Sequence, residues 1–149
     1  MPSLNLRFDT THRPLICVEG KPGIPLQPSF VMHPPNVVPR FVEDFLVDTG
    51  ATGCWVEEDL ISSWHLMRVI PMVTQSGRKP KVDGYAYPLS LRLREPGQHD
   101  SWYHQTWPVG TVPAGHFGGV VKGLIGMDLL RGGKIQYDGL ANSCVLSWT

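Results

Sequence analysis

The sequence predicts an all-β chain with one or two short helices. Two observations carry this expectation. Apolar residues come in short bursts separated by turn formers, with 16 Gly and 14 Pro in 149 residues, which is the pattern of short strands joined by turns. Tyr85 to Leu93 also alternates cleanly. Tyr85, Tyr87, Leu89, Leu91 and Leu93 fall on one face, and Ala86, Pro88, Ser90, Arg92 and Arg94 on the other, as in a half-buried strand. The length suits one domain over residues 1–149, and a chain of this size buries roughly 70% of its extended surface.

Residues 1–13 are polar and read as a loose arm. Leu15 to Val18 is a short strand, stopped by the turn Glu19-Gly20-Lys21-Pro22-Gly23. Residues 22–39 hold six prolines (Pro22, Pro25, Pro28, Pro34, Pro35, Pro39) and read as an insertion, because proline excludes a helix and disfavours a central strand. Phe30 to Met32 could supply a brief edge strand within it. Phe41 to Val47 is a strand leading into Asp48-Thr49-Gly50-Ala51, and Cys54 to Val56 is another. Glu57 to Met67 is expected to be helical, with Leu60, Trp64 and Met67 at helical spacing and acidic residues at its start. Val69 to Thr74 is a strand, followed by the turn Gln75-Ser76-Gly77-Arg78. Pro88 places the Tyr85–Leu93 strand at an edge or a bulge. Glu95-Pro96-Gly97-Gln98 is a turn, Ser101 to Val112 an aromatic-rich strand, and Pro113 to Gly119 a Gly-rich loop. Val120 to Leu130 is a second apolar burst that turns helical at its end. Lys134–Tyr137 and Cys144–Trp148 form a terminal hairpin around Asp138-Gly139.

Composition excludes several function classes. The formal net charge is zero, and charged residues are 17% of the chain without like-charge runs, so nothing directs the protein to nucleic acid or an anionic membrane. No apolar run approaches the ~20 residues of a membrane helix. Met1 to Arg13 lacks a signal-peptide core. Cys17, Cys54 and Cys144 are odd in number. They read as reduced thiols of a cytoplasmic protein, with one disulfide plus one free thiol as the alternative. The six histidines are scattered, and none has ligand spacing with a Cys or another His, so no metal is expected. Trp102, Tyr103 and Trp107 read as packing residues, Cys54 as a small apolar filler, and Gly132-Gly133-Lys134 as a turn. The Arg78, Lys79 and Lys81 cluster reads as a solvated hairpin.

Two strings carry chemistry. In Phe45-Leu46-Val47-Asp48-Thr49-Gly50-Ala51-Thr52, an apolar strand delivers a carboxylate into a tight turn. Gly50 lets backbone N–H groups close on that carboxylate, and Thr49 adds a small hydroxyl. In Gly123-Leu124-Ile125-Gly126-Met127-Asp128-Leu129-Leu130, two apolar residues precede a glycine that can pass close to the Asp48 turn. Together, in this order, the strings resemble the retropepsin-like aspartic peptidases.

That resemblance implies a closed-barrel subunit and a flap hairpin from Val69 to Leu93, with Gln75, Ser76 and Gly77 at its tip. It also implies Asp48 as the catalytic carboxylate, supported by Thr49, Gly50 and Ala51, and a second motif at Leu124, Ile125 and Gly126, whose first two residues wall a substrate pocket. No cofactor is implied. The chain holds one Asp-Thr-Gly, whereas the chemistry needs two carboxylates sharing a proton. The second should come from another copy on a two-fold axis. The expected partners are therefore the chain itself and an extended peptide or protein substrate. The sequence departs from the family at Thr52 and Met127, where retroviral members often carry an acidic residue and an arginine that pair. A non-catalytic dimerisation or peptide-binding module retaining the fold is the alternative reading.

Overall fold

The computed structural model describes residues 1–23, 38–66, 70–74 and 82–149, with the backbone alone for 70–74 and 82–85. The strands among them, in chain order, are β1 (Ser3–Asn5), β2 (Arg7–Phe8), β3 (Pro14–Pro22), β4 (Phe41–Val47), β5 (Cys54–Glu57), β6 (Ile70–Thr74), β7 (Val82–Arg94), β8 (Ser101–Val112), β9 (Gly123–Ile125), β10 (Lys134–Asp138) and β11 (Ser143–Ser147). A single α-helical turn, α1 (Met127–Leu130), follows β9.

Six strands close a barrel in the order β3-β4-β9-β5-β8-β7, and β7 pairs back onto β3. β2 extends β3, and β6 extends β7 as the second arm of a hairpin. The β4–β9 and β5–β8 pairs are parallel, and the other barrel pairs are antiparallel. A separate three-stranded sheet, β1-β11-β10, carries both ends of the chain.

The barrel closes because alternation puts an apolar row inside from every wall. Ile16, Val18, Phe45, Val56, Leu89, Leu91, Leu93, Val109 and Ile125 are all fully buried. Burial of each such side chain stabilises the fold by about 1.5–3 kcal/mol. Phe41 stacks between Phe45 and Trp64, with ring centroids 5.8 Å apart in both pairs. A β-bulge opposite Leu89–Leu91 sets three steps along β8 against two along β7, and Ala86, on the other face from the leucines, is buried as well.

The mostly-β, barrel-forming architecture with few short helices agrees with the sequence expectation, but four elements differ. Residues 1–13 are not a loose arm: β1 pairs with β11 and β2 with β3, and Leu4 and Leu6 are buried. Their alternation is only a few residues long and is masked by polar neighbours. The described part of the expected Glu57–Met67 helix, Glu57 to Leu66, is not α-helical. Glu57 ends β5, and Glu58–Leu60 and Ser62–Trp64 are two 3-10 turns that turn Ile61 and Trp64 into the core. Pro88 does not mark an edge, since β7 has partners on both sides, and the bulge begins just beyond it. Glu19, Gly20, Lys21 and Pro22, expected as a turn, continue β3, because β7 pairs with all four and β4 with Glu19 and Gly20 on the other side. The proline-rich insertion from 24 to 37, Met67, the Gln75-Ser76-Gly77 tip and the basic cluster at 78–81 lie outside the described residues.

Candidate active site

The site begins with a strand that ends in a carboxylate. Phe41, Phe45 and Val47 of β4 are buried, and the chain then reaches Asp48, which is half-buried, with Thr49 and Gly50 exposed. The turn is held by its own backbone. Gly50 N–H donates to Asp48 Oδ1 at 2.9 Å, and Ala51 N–H donates to the Asp48 carbonyl at 3.3 Å. Asp48 N–H donates to the Ile125 carbonyl at 2.9 Å, tying the turn to β9.

β9 lies between β4 and β5, pairing with both. Its two flanking glycines permit this close passage. A Cβ on Gly123 would meet the Phe45 ring and the Trp55 carbonyl, and one on Gly126 would overlap the backbone of Gly53. The residues after Gly126 then fasten the far side of the Asp48 loop. Met127 N–H donates to the Ala51 carbonyl at 2.8 Å, and Asp128 N–H to the Thr52 carbonyl at 3.1 Å.

Behind the loop sits Asp128, a residue to which the sequence reading assigned no role. It receives Trp107 Nε1–H at 3.1 Å, Leu129 N–H at 2.7 Å and the Cys54 thiol at 3.3 Å. One carboxylate thus joins α1, β5 and β8. Burial, with Asp128 alongside, pushes the Cys54 thiol far above its usual range, so it remains a protonated donor rather than the plain filler expected. The signal was legible as an acidic residue at the start of a helical turn, but its partners are 21 and 74 residues away in sequence.

Glu57, at the end of β5, was also missed. Its side chain is fully buried, and it accepts Gly115 N–H at 3.0 Å, Phe117 N–H at 3.1 Å and Lys122 Nζ at 3.2 Å. Burial pushes this carboxyl up, but the two backbone donors and Lys122 outweigh it and hold the group below its ordinary value. Glu57 thereby anchors the loop between β8 and β9, in which Gly115, Gly118 and Gly119 have positive φ, a conformation favoured by glycine.

The structure brings Asp48, Thr49, Gly50 and Ala51 together with Leu124, Ile125 and Gly126, the residues of the two strings. Ile125 is a correction: it is fully buried in the core of the single chain. Only the half-buried Leu124 retains surface to offer a pocket. Trp102 and Trp107 pack as expected. Trp102 stacks on Trp148 at 5.3 Å, whereas Tyr103 is half-exposed under the Arg92 guanidinium. All three cysteines are free and buried. Among the described residues, no group of three or more His, Cys, Asp or Glu could hold a metal ion, and no helix is long and apolar enough to cross a membrane.

No protein-family model and no curated protein sequence matches the chain. Among solved structures it is similar to a retropepsin-like aspartic protease from Rickettsia conorii. The match covers 99% of this chain and 91% of that one, with a TM-score of 0.51 and 17% sequence identity. At that identity the likeness is one of fold: this chain has a retropepsin-like architecture.

Proposed function

We propose that the chain is an aspartic endopeptidase whose active site is completed by a second copy. The observation that carries this reading is the half-buried Asp48 carboxylate at the end of β4, in a turn fastened by Gly50, by β9 and by the residues after Gly126. A loop so constrained can present its carboxylate to a partner with little reorganisation, which is what a dyad requires. The fold likeness to an aspartic protease supports the same reading.

In the two-copy site, Asp48 and Asp48 of the second copy share one proton, because two like charges about 3 Å apart do not both ionise. The ionised carboxylate takes a proton from a water held between them as that water's oxygen attacks the scissile carbonyl carbon. The protonated carboxyl gives its proton to the carbonyl oxygen. Collapse of the tetrahedral intermediate breaks the C–N bond, with a proton passing to the leaving nitrogen. The pair titrates as a unit, giving a bell-shaped rate profile on the acid side. The substrate is an extended peptide held by strand-like hydrogen bonding beneath the β6–β7 hairpins, and Leu124 favours bulky apolar residues beside the cut.

The test is incubation with a mixed peptide library from about pH 4 to 7, beside Asp48→Asn and a statine-type peptide mimic, with cleaved peptides identified by mass spectrometry. Cleavage that the variant and the mimic each abolish is expected. Cleavage surviving in Asp48→Asn, or binding of peptides with no cleavage by the native chain, sinks the proposal. The second of these results is what a non-catalytic peptide-binding module would give.

A further inference from the structure

His104 is a polar ring in an apolar box. It lies on β8 opposite Leu91, with Trp102 opposite Leu93 and Trp107 opposite Leu89, so the three β8 rings share the face of the core leucines. Trp107 reaches that face only because of the bulge. It stands an odd number of residues from His104, and without the extra residue it would point the other way. The ring centroids of Trp102 and Trp107 lie 4.7 and 5.1 Å from that of His104. Nε2 of His104 is buried and has no hydrogen-bond partner, a state rare enough in folded proteins to need a reason. Nδ1 is not enclosed in that way.

The lowest-cost neutral form carries its one N–H on Nδ1 and leaves Nε2 a bare acceptor. Acid must then place the second proton on Nε2, which makes a charged donor with nothing to receive it. The surroundings supply little compensation. On β8 the neighbours are the two indoles, across the register stands Leu91 of β7, and Trp148, just after β11, stacks on Trp102. From α1 comes Asp128, among the described residues the one charged group acting on the ring. Beyond it lies the protonated Cys54 thiol of β5. Burial accordingly holds the imidazole below its ordinary value, against the pull of the Asp128 charge. The ring is half-buried, and at its level β8 pairs with β7 alone, which leaves it a way out to water.

We propose that His104 is an acid-released wedge on the brace behind the Asp48 loop: neutral, it holds Trp107 against Asp128; charged, it leaves the box and frees that brace. The chain of contacts is short. Trp107 Nε1–H donates to Asp128 Oδ2 at 3.1 Å, and Asp128 N–H donates to the carbonyl of Thr52, just past Asp48, at 3.1 Å. With the imidazole gone, the indole loses its edge-on ring contact and gains a void beside it. The neutral wedge is fully in place above the ordinary value of 6.5 and is lost as pH falls through the lowered one. Each tenfold difference in proton affinity between the freed and the wedged ring becomes a tenfold gain in the opened form once the ring is charged. The effect on cleavage rests on the peptidase reading above, whereas the wedge itself does not.

The test is hydrogen exchange at the Trp107 indole N–H of the full chain, followed by NMR from about pH 7 to about pH 4.5 beside the Cε1–H titration of His104. After correction for the intrinsic pH dependence of indole exchange, the native rate is expected to rise about tenfold or more as His104 charges. His104→Phe keeps a flat ring but takes no proton, and its indole is expected to change by less than about twofold until Asp128 itself is protonated. His104→Gln, smaller and equally unable to titrate in this range, gives the same comparison should the phenylalanine not fold. A native indole as well protected in acid as at neutrality overturns the wedge, as does one that loosens equally in both variants, or a His104 that titrates at or above 6.5. Peptide cleavage is followed in parallel, and its acid limb is expected to move to lower pH in His104→Phe. An acid limb that stays in place while the native indole loosens overturns the coupling to the Asp48 loop. An indole that responds as expected in a chain that cleaves nothing leaves the wedge standing and removes the peptidase reading.

Discussion

Replacing Glu57 by Gln isolates one buried charge whose partners are all on the page. The amide keeps the size of the side chain but loses its charge and one acceptor. Gly115 N–H and Phe117 N–H each need an acceptor. The amide oxygen can serve one of them, while the amide NH2 faces the other donor, or Lys122, as a second donor. A buried donor left without a partner costs about 1–3 kcal/mol, and the donor–donor contact adds to that, so a loss of about 2–4 kcal/mol is expected. For a domain of this size that is a drop in Tm of roughly 5–15 °C. The pH dependence supplies a second readout. The Glu57 carboxyl lies below its unfolded value of 4.5, so its contribution is fully present above that value and is lost as pH falls through the folded value. The gap in Tm between native and variant, measured by circular dichroism, should therefore be widest near neutral pH and shrink below about pH 4.5. Lys122→Met, which leaves both backbone donors satisfied, should cost less than Glu57→Gln. A variant melting within 2 °C of the native chain at pH 7, or a gap indifferent to acid, refutes the assignment of Glu57 as the anchor of the β8–β9 loop.

Three further outcomes are expected. Gly126→Ala forces a methyl into the Gly53 backbone, where rigid main chain meets rigid main chain; a loss of about 3 kcal/mol or more in chemical denaturation is expected, and unchanged stability would show that β9 does not lie against that loop. Trp107→Phe removes the indole donor to Asp128 and should cost about 1–2 kcal/mol; a double mutant with Asp128→Ala should show that the two losses do not add. Burial raises the Cys17, Cys54 and Cys144 thiols, so iodoacetamide at pH 7.5 should label none of them in the native state and all three in denaturant, as read by intact mass.

The strands that read correctly from sequence are those whose burial repeats locally. β4, β7, β8 and the β10–β11 hairpin each show apolar bursts bounded by turn residues, and the Asp48 turn follows β4 directly. β1 and β2 were missed because their apolar positions, Leu4, Leu6 and Phe8, are too few to stand out. They become strands only because β11 and β3 offer partners more than a hundred residues away and a few residues away respectively. The 57–67 segment has helical spacing in sequence, but Glu57 ends β5 and Ile61, with φ −125°, separates two 3-10 turns whose shape brings Ile61 and Trp64 into the core.

The sequence by itself determined an all-β chain with one carboxylate placed at a strand end in a glycine turn, because alternation, turn chemistry and motif order are properties of neighbouring residues. Only the tertiary structure decided that β9 passes between β4 and β5, that β7 closes onto β3, and that Asp128 and Glu57 become anchors. Those facts depend on which distant groups share a low-dielectric interior, where a polar atom must find a partner. They depend equally on where glycine lets two backbones touch.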